Sequence, residues 1–356
     1  MEKELDSFYR NCKNCGGNLE FDPNEQCLKC FNCGSKYQIE KNTNVKKHEL
    51  DKKQDDKSKE YLDYVEQNKI FKCSNCGSNV VLNVYEISKK CPYCGTNLVS
   101  ENSSIPGLLP DGVLPFEFNK EKAGQIFVEK VKKKWLAPKK FKKAPPTSEI
   151  SAFYIPAFSF DGDTHSNYVG RMFNEYTETD AEGKQYTRRE YFDVSGNLDK
   201  SFANILIECS QKVNQTNLAE LLPYNFGKKV AYQNAFIMGY SAEHYAEGID
   251  ECKRDYRSIT KNAIRSAILN MHPHDGVDFL NVNTDYKNEF YSYYLVPMYK
   301  FEYSYKEKKY VTYMNGQTGK IDSKLPKSAG KITLIVLLIL LFVVGPIILG
   351  IILGAN

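Results

Sequence analysis

Four Cys-x-x-Cys pairs in this chain repeat a single spacing, and thiols so placed bind a soft divalent metal. Cys12 and Cys15 are followed after 14 residues by Cys30 and Cys33; Cys73 and Cys76 are followed after 14 residues by Cys91 and Cys94. Every ligand of the second set lies 61 residues beyond its counterpart. A tetrahedral ion needs four soft donors from two tight turns, and a short hairpin brings two such pairs together. Gly16, Gly34, Gly77 and Gly95 each follow the second cysteine of a pair. A knuckle turn that folds back over sulfur favours a residue without Cβ at that point. The pattern predicts two zinc ribbons, each with one structural Zn2+ on four cysteines. A closed four-thiolate site leaves no coordination position for catalysis. Cys27 also forms a Cys-x-x-Cys pair with Cys30, but Phe31 stands where the glycine belongs. The repeat therefore selects Cys30 and Cys33 and leaves Cys27 as a bystander or substitute ligand. Disulfides suit secreted chains, and nothing here resembles a cleavable signal peptide.

The second chemical feature is basic. Lys130, Lys132, Lys133, Lys134, Lys139, Lys140, Lys142 and Lys143 surround Trp135 and Phe141. Lysines with interleaved aromatics hold phosphates while stacking bases. The same lysines suit anionic lipid head groups, or the solvated side of a helix and the loop after it. Other constellations are weaker. His272, His274 and Asp275 lie together, but Pro273 separates the histidines and no third strong donor is near, so a loop is expected. Asn315 to Lys320, NGQTGK, has two residues between its glycines where a phosphate loop has four, and Ile321 where Ser or Thr would hold magnesium; it reads as a hairpin turn. Asp161 and Asp163 follow a predicted strand, where a catalytic acid could sit with His165 beside them, but no partner is evident and a turn is expected. No serine elbow, metalloprotease helix or dinucleotide fingerprint occurs, so no catalysis is expected.

These groups need elements to position them. At 356 residues the chain holds two or three domains, and its formal charge of +4 does not by itself mark a nucleic-acid binder. Residues 1–40 read as the first ribbon and 70–101 as the second. Residues 41–69 are dense in both charges, so they predict a flexible linker with the ribbons as beads on a string. Residues 102–328 read as a mainly antiparallel-sheet α+β region, either one domain or two similar halves with Pro156 of one aligned on Pro297 of the other. Strands are expected at Tyr168 to Thr177 and Gln185 to Val194, around a turn at Glu182-Gly183, and at Tyr299 to Tyr305 and Lys309 to Met314. Asn119 should cap a helix with the stripe Ala123, Phe127, Val131 and Trp135. Ser241 should cap another carrying Tyr245, Ile249, Cys252, Tyr256, Ile259 and Ala263, ending near Pro273. Cys209 and Cys252 read as small core residues. From Ile332 to Leu353 there are 22 residues without charge, preceded by Lys320, Lys324, Lys327 and Lys331. Read alone, this predicts a transmembrane helix over 331–353, a tail anchor, with the N-terminal bulk cytoplasmic.

The cysteine segments CKNCGGNLEFDPNEQCLKCFNCG and FKCSNCGSNVVLNVYEISKKCPYCG resemble transcription-factor-IIB-type zinc ribbons. VLPFEFNKEKA, KKWLAPKKF, FYIPAFSFDGDTHSNYVG and YLVPMYKFEYSYKEKKYVTYMNGQTGK resemble uncharacterised bacterial membrane proteins that carry such ribbons. Members of that group are sometimes labelled as a primosomal replication-restart helicase, but this chain has no nucleotide-binding loop or helicase motif. The resemblance implies zinc, a membrane anchor and no established reaction. The expected function is a membrane-anchored cytoplasmic adaptor that binds a protein partner. The alternative is a membrane-associated nucleic-acid binder using the ribbons and Lys132, Lys133, Lys134, Lys139, Lys140, Lys142 and Lys143.

Overall fold

The computed structural model describes residues 11–50, 69–73, 79–82, 86–91, 93, 95–99, 108–138, 150–210, 213, 215–305, 308–322, 328–340 and 342. Its early strands are β1 (Leu19–Asp22), β2 (Cys27–Cys30), β3 (Lys36–Gln38), β4 (His48–Glu49), β5 (Lys69–Lys72), β6 (Asn79–Leu82), β7 (Glu86–Lys90), β8 (Asn97–Val99) and β9 (Gly112–Val113). The later ones are β10 (Ile150–Thr179), β11 (Gln185–Glu208), β12 (Val230–Ala231), β13 (Ser241–Glu243), β14 (Gly276–Tyr305) and β15 (Lys308–Asn315). Four helices are described: α1 (Lys120–Lys133), α2 (Gln215–Leu221), α3 (Ile249–Met271) and α4 (Ala329–Ile339). The chain is mostly sheet. Strands β1–β3 form one small antiparallel sheet, β5–β6 a hairpin, and ten strands join a large mixed sheet built on β10 and β14.

The two expected hairpins exist, but their strands run much further than the local patterns suggested. β10 and β14 each span 30 residues and pair antiparallel from Ile150↔Phe301 to Phe173↔Gly276. β11 returns along β10 over its whole length, and β15 returns along β14 with Tyr299 opposite Met314. From Phe160 to Met172 the even residues of β10 are buried and the odd ones face outward, the period-2 signature of a half-covered sheet. Helix α3 covers the buried side: Ile264 and Ile268 pack with Tyr168, Met172, Val194 and Phe202. Pro156 and Pro297 lie inside these strands, not at their starts, and are near-opposite one another, Tyr154 pairing with Pro297 and Pro156 with Leu295.

A bulge lies where β10 passes under α3, with register shifts on both sides of Asp161 and Gly162. The Tyr256 ring stacks on Phe160 at 5.0 Å, and a Cβ on Gly162 would lie 2.7 Å from the Tyr256 hydroxyl. Gly162→Ala is therefore expected to destabilise by roughly 1–3 kcal/mol through overpacking, read as a lower denaturant midpoint at unchanged slope.

Several expectations are corrected. Trp135 lies beyond the end of α1 and is 57% exposed, although Asn119 caps the helix through Lys122 and Ala123, Phe127 and Val131 are buried as expected. Ser241 starts strand β13, not a helix; α3 begins at Ile249, and its buried stripe is Cys252, Tyr256, Thr260, Ile264 and Ile268. The sequence stripe failed because Ile259 faces solvent and a polar residue, Thr260, fills the buried place by bonding back to the Tyr256 carbonyl.

The C-terminal membrane span is the largest correction. Helix α4 is described over 11 residues, about 16 Å at 1.5 Å per residue, against a hydrocarbon core of about 30 Å. Among the described residues no helix is long and apolar enough to cross a membrane. The α+β fold with a transmembrane helix, the tail anchor, the membrane partner and the single-pass membrane localisation are therefore not supported. The rest of the expected span lies outside the described residues.

The first ribbon is not a free bead. Leu19, Phe21, Leu28 and Cys30 belong to the same buried cluster as Phe116, Tyr154 and Phe236 of the main body. The Phe21 amide donates to the Met238 carbonyl (2.9 Å), the Gln26 side chain donates to the Phe116 carbonyl (2.7 Å), and the Phe21 ring meets Phe236 edge-on. Charge density in the linker said nothing about the apolar side of the ribbon itself, which needs cover. Of the expected linker, residues 41–50 lie along the large sheet: β4 pairs with β14, Val45 is buried, and His48 bonds Asp111 at 2.8 Å. Residues 51–68 lie outside the described residues.

Candidate metal centre

Two knuckles make the site. The Cys12 amide donates to the Gly17 carbonyl (2.7 Å) while the Gly16 amide donates to the Cys12 carbonyl (2.8 Å). At the second knuckle the Cys30 amide donates to the Ser35 carbonyl (2.9 Å) and the Gly34 amide to the Cys30 carbonyl (2.8 Å). Gly16 and Gly34 sit at φ +70° and +79°, the left-handed region in which glycine has no Cβ penalty. β1 and β2 hold the two knuckles together, with Leu19 opposite Cys30.

The four sulfurs of Cys12, Cys15, Cys30 and Cys33 lie within 4.8 Å of one another. Cys12 and Cys33 Sγ are 3.5 Å apart, as are Cys15 and Cys30 Sγ. Four sulfurs at about 2.3 Å from a central zinc stand about 3.8 Å apart, so the cluster fits the ion with little adjustment. A disulfide needs about 2.05 Å, and the four cysteines are free. Gly17 belongs to the fit: a Cβ there would come within 3.3 Å of both the Cys15 and Cys30 sulfurs.

The surroundings prepare thiolates unevenly. The Tyr37 hydroxyl, 3.3 Å from Cys12 Sγ, is the main cause that holds the Cys12 thiol down at about 5. The Gly17 amide, then the Asn32 side chain, lower Cys15. At Cys30 the Cys33 amide favours the thiolate, but burial and the adjoining thiols outweigh it and push the group up to about 11. A divalent cation supplies the positive charge that deprotonates such a ligand. Bound there, zinc would cross-link the two knuckles, and no open position would remain for substrate. Tyr37, Asn32 and Gly17 were missed in the sequence; Tyr37 sits four residues after the last ligand on β3, and aromatic identity alone did not mark it.

Cys27 lies outside this cluster. It is buried in β2 between Asp22 and Gln38, and burial raises its thiol. Of the second set, Cys73 and Cys91 are buried, while Cys76 and Cys94 lie outside the described residues. The Cys91 turn nevertheless repeats the pattern bond for bond. Its amide donates to the Thr96 carbonyl (2.8 Å), the Gly95 amide donates to the Cys91 carbonyl (2.9 Å), and Gly95 sits at φ +72°.

The remaining candidates separate. Lys132, Lys133 and Lys134 are exposed beside Trp135, whereas Lys139, Lys140, Lys142 and Lys143 lie outside the described residues. His272 bonds the Tyr168 hydroxyl, His274 bonds the His272 carbonyl and Asp275 accepts the Glu175 amide, so this segment is a loop tying α3 to β10. Asp161 takes Lys47 and the Asn204 amide, Asp163 takes Ser201 and Asn288, and His165 takes Asp199. Asn288, then Ser201, lower Asp163. These acids hold strands together on an open face. NGQTGK is a hairpin turn in which the Asn315 side chain accepts the Gln317 and Thr318 amides. Cys209 and Cys252 are fully buried core residues.

The chain is 28% identical over 327 residues to the Bacillus subtilis (strain 168) protein described as uncharacterized protein YdjG, which covers 90% of this chain and 91% of that protein. No family model matches the chain, so neither the transcription-factor-IIB-type ribbon nor the helicase label is supported by a family. No solved structure matches.

Proposed function

We propose that this chain is a zinc-ribbon binding module: two structural Zn2+ ions shape its knuckles, and the knuckles present contact residues to a protein partner. The second ion is held by Cys73, Cys76, Cys91 and Cys94; the Cys91 turn, which repeats the bonds of the first two, supports it. The observation that carries the partner reading is at the knuckle tips. Phe31, between Cys30 and Cys33, is 64% exposed, and Tyr93, between Cys91 and Cys94, is 73% exposed. Nothing in the metal chemistry requires an aromatic there, and exposed aromatics are characteristic anchors of protein interfaces. Phe31 also borders a cleft of about 810 Å³ beside Lys29, Lys90, Lys120, Ser151 and Tyr240. The zinc is structural and the module is not an enzyme.

The test uses Phe31→Ala with Tyr93→Ala. Both side chains are exposed, so zinc content and melting temperature should stay at wild type. Capture of a partner from nuclease-treated extract should be lost. Retained capture would remove the tips from the mechanism. Nucleic-acid binding is the second reading, favoured by Lys132, Lys133 and Lys134 around exposed Trp135. It requires anisotropy of labelled DNA or RNA to show affinity falling steeply with salt, and Lys132→Glu with Lys133→Glu to abolish it. No binding at low salt removes that reading.

A further inference from the structure

Strand β11 leaves a long backbone edge open. It pairs with β10 from Gln185 to Glu208, and among the described residues no strand pairs with its other side. Bare edges are commonly blunted by proline, bulges or charged side chains, and of these the β11 edge carries only charges. From Gln185 to Phe202 this one has no proline and keeps unbroken register with β10.

Two features of the edge are incomplete. The first is apolar. The even residues of β11 face α3; Val194 and Phe202 are buried there, whereas Phe192 and Leu198 sit half-covered at the margin of the same cluster. The second is electrostatic. Arg171–Asp193, Arg188–Glu178, Arg189–Glu175 and His165–Asp199 pair within the hairpin and its neighbours. Glu190 and Lys200, on the same even face, make no ion pair among the described residues.

A second copy completes both. Set two β11 strands antiparallel, edge to edge, about a two-fold axis at Ser195. Residues equally far on either side of Ser195 then oppose each other on the same face. Phe192 meets Leu198 of the other copy, and Glu190 meets Lys200, each twice by symmetry. Arg188 opposes Phe202, Arg189 opposes Ser201, Asp193 opposes Asn197 and Tyr191 opposes Asp199, so no like charges meet. The adjoining same-face registers fail this test. An axis at Val194 opposes Arg188 to Lys200, and one at Gly196 opposes Asp193 to Asp199.

We propose that the β11 edge is a self-association surface, on which two copies of this chain join their large sheets through antiparallel β11 strands centred on Ser195. It goes beyond the knuckle-tip reading and uses none of its residues. Sedimentation of the zinc-loaded full chain across a dilution series tests it. A dimer is expected, weakened roughly tenfold or more by Glu190→Lys or by Lys200→Glu, because each puts like charges opposite each other twice. The combined swap, Glu190→Lys with Lys200→Glu, should restore wild-type dissociation. Far-UV circular dichroism of each variant verifies folding; Glu190 is exposed, and Lys200 is half-buried with its ammonium over the Phe202 ring. A chain that is monomeric at every concentration overturns the proposal, including the case in which a different protein occupies the edge. A dimer indifferent to both single reversals places association elsewhere and overturns it too.

Discussion

Cys30→Ser should release one metal equivalent and lower the melting temperature of the main body, not only of the ribbon. Structural zinc in ribbon-sized peptides contributes about 10–16 kcal/mol of apparent binding energy, comparable with the whole stability of a domain at about 5–15 kcal/mol. Here Cys12 and Cys30 share a buried cluster with Phe116, Phe127, Tyr154 and Tyr299. Losing the cross-link frees β1 and β2, and with them the Phe21–Phe236 contact and the Gln26 bond to Phe116. If even a third of the metal's contribution reaches the sheet, about 3–5 kcal/mol is lost, roughly 6–20 °C in a body of this size. Scanning calorimetry with metal analysis checks this. Cys27→Ser is the control: it should keep its metal, because Cys27 is not in the cluster. A Cys30→Ser protein with unchanged melting would mean that the ribbon and sheet are energetically separate.

Phe116→Ala should be the most damaging single change away from the metal, at roughly 3–5 kcal/mol. The ring is fully buried and meets three tyrosines, Tyr154 at 5.0 Å, Tyr240 at 4.7 Å and Tyr299 at 4.8 Å between centroids. Its amide donates to the Tyr154 hydroxyl, which itself donates to the Phe236 carbonyl, so a shift of the backbone also strands buried polar groups. A coupled measurement sharpens the test. A Cβ on Gly316 would lie 2.6 Å from the Phe116 ring and 2.8 Å from Pro297 Cβ. Gly316→Ala should therefore cost less in the Phe116→Ala background than alone, a non-additivity readable from denaturant midpoints. Simple additivity would show that the ring does not press on that turn.

What the sequence made legible was local. The knuckle glycines Gly16, Gly34 and Gly95, the Asn119 cap, the Asn315 turn and the Gly183 turn all follow from chemistry confined to a few residues, and each is found where expected, whereas Gly77 lies outside the described residues. Cys12, Cys15, Cys30 and Cys33 converge because their spacing already contains the hairpin. What stayed hidden depended on distant cover. The 30-residue strands read as short ones because the outer face of β10 turns mainly polar after Phe160, at Asp161, Asp163, His165 and Asn167, while its pairing with β14 continues to Phe173. The docking of the first ribbon rests on Phe21 meeting Phe236, more than two hundred residues away, and no periodicity reports that. The membrane span was read from hydropathy alone, and among the described residues no helix is long and apolar enough to cross a membrane.

The central claim is that four thiolates per ion hold this fold's metal. Zinc K-edge X-ray absorption on the purified full chain addresses it most directly. The expected result is a shell of four sulfurs at about 2.3 Å with no light-atom ligand, and two zinc ions per chain. A shell containing nitrogen or oxygen, or a chain that folds without bound zinc, would contradict it.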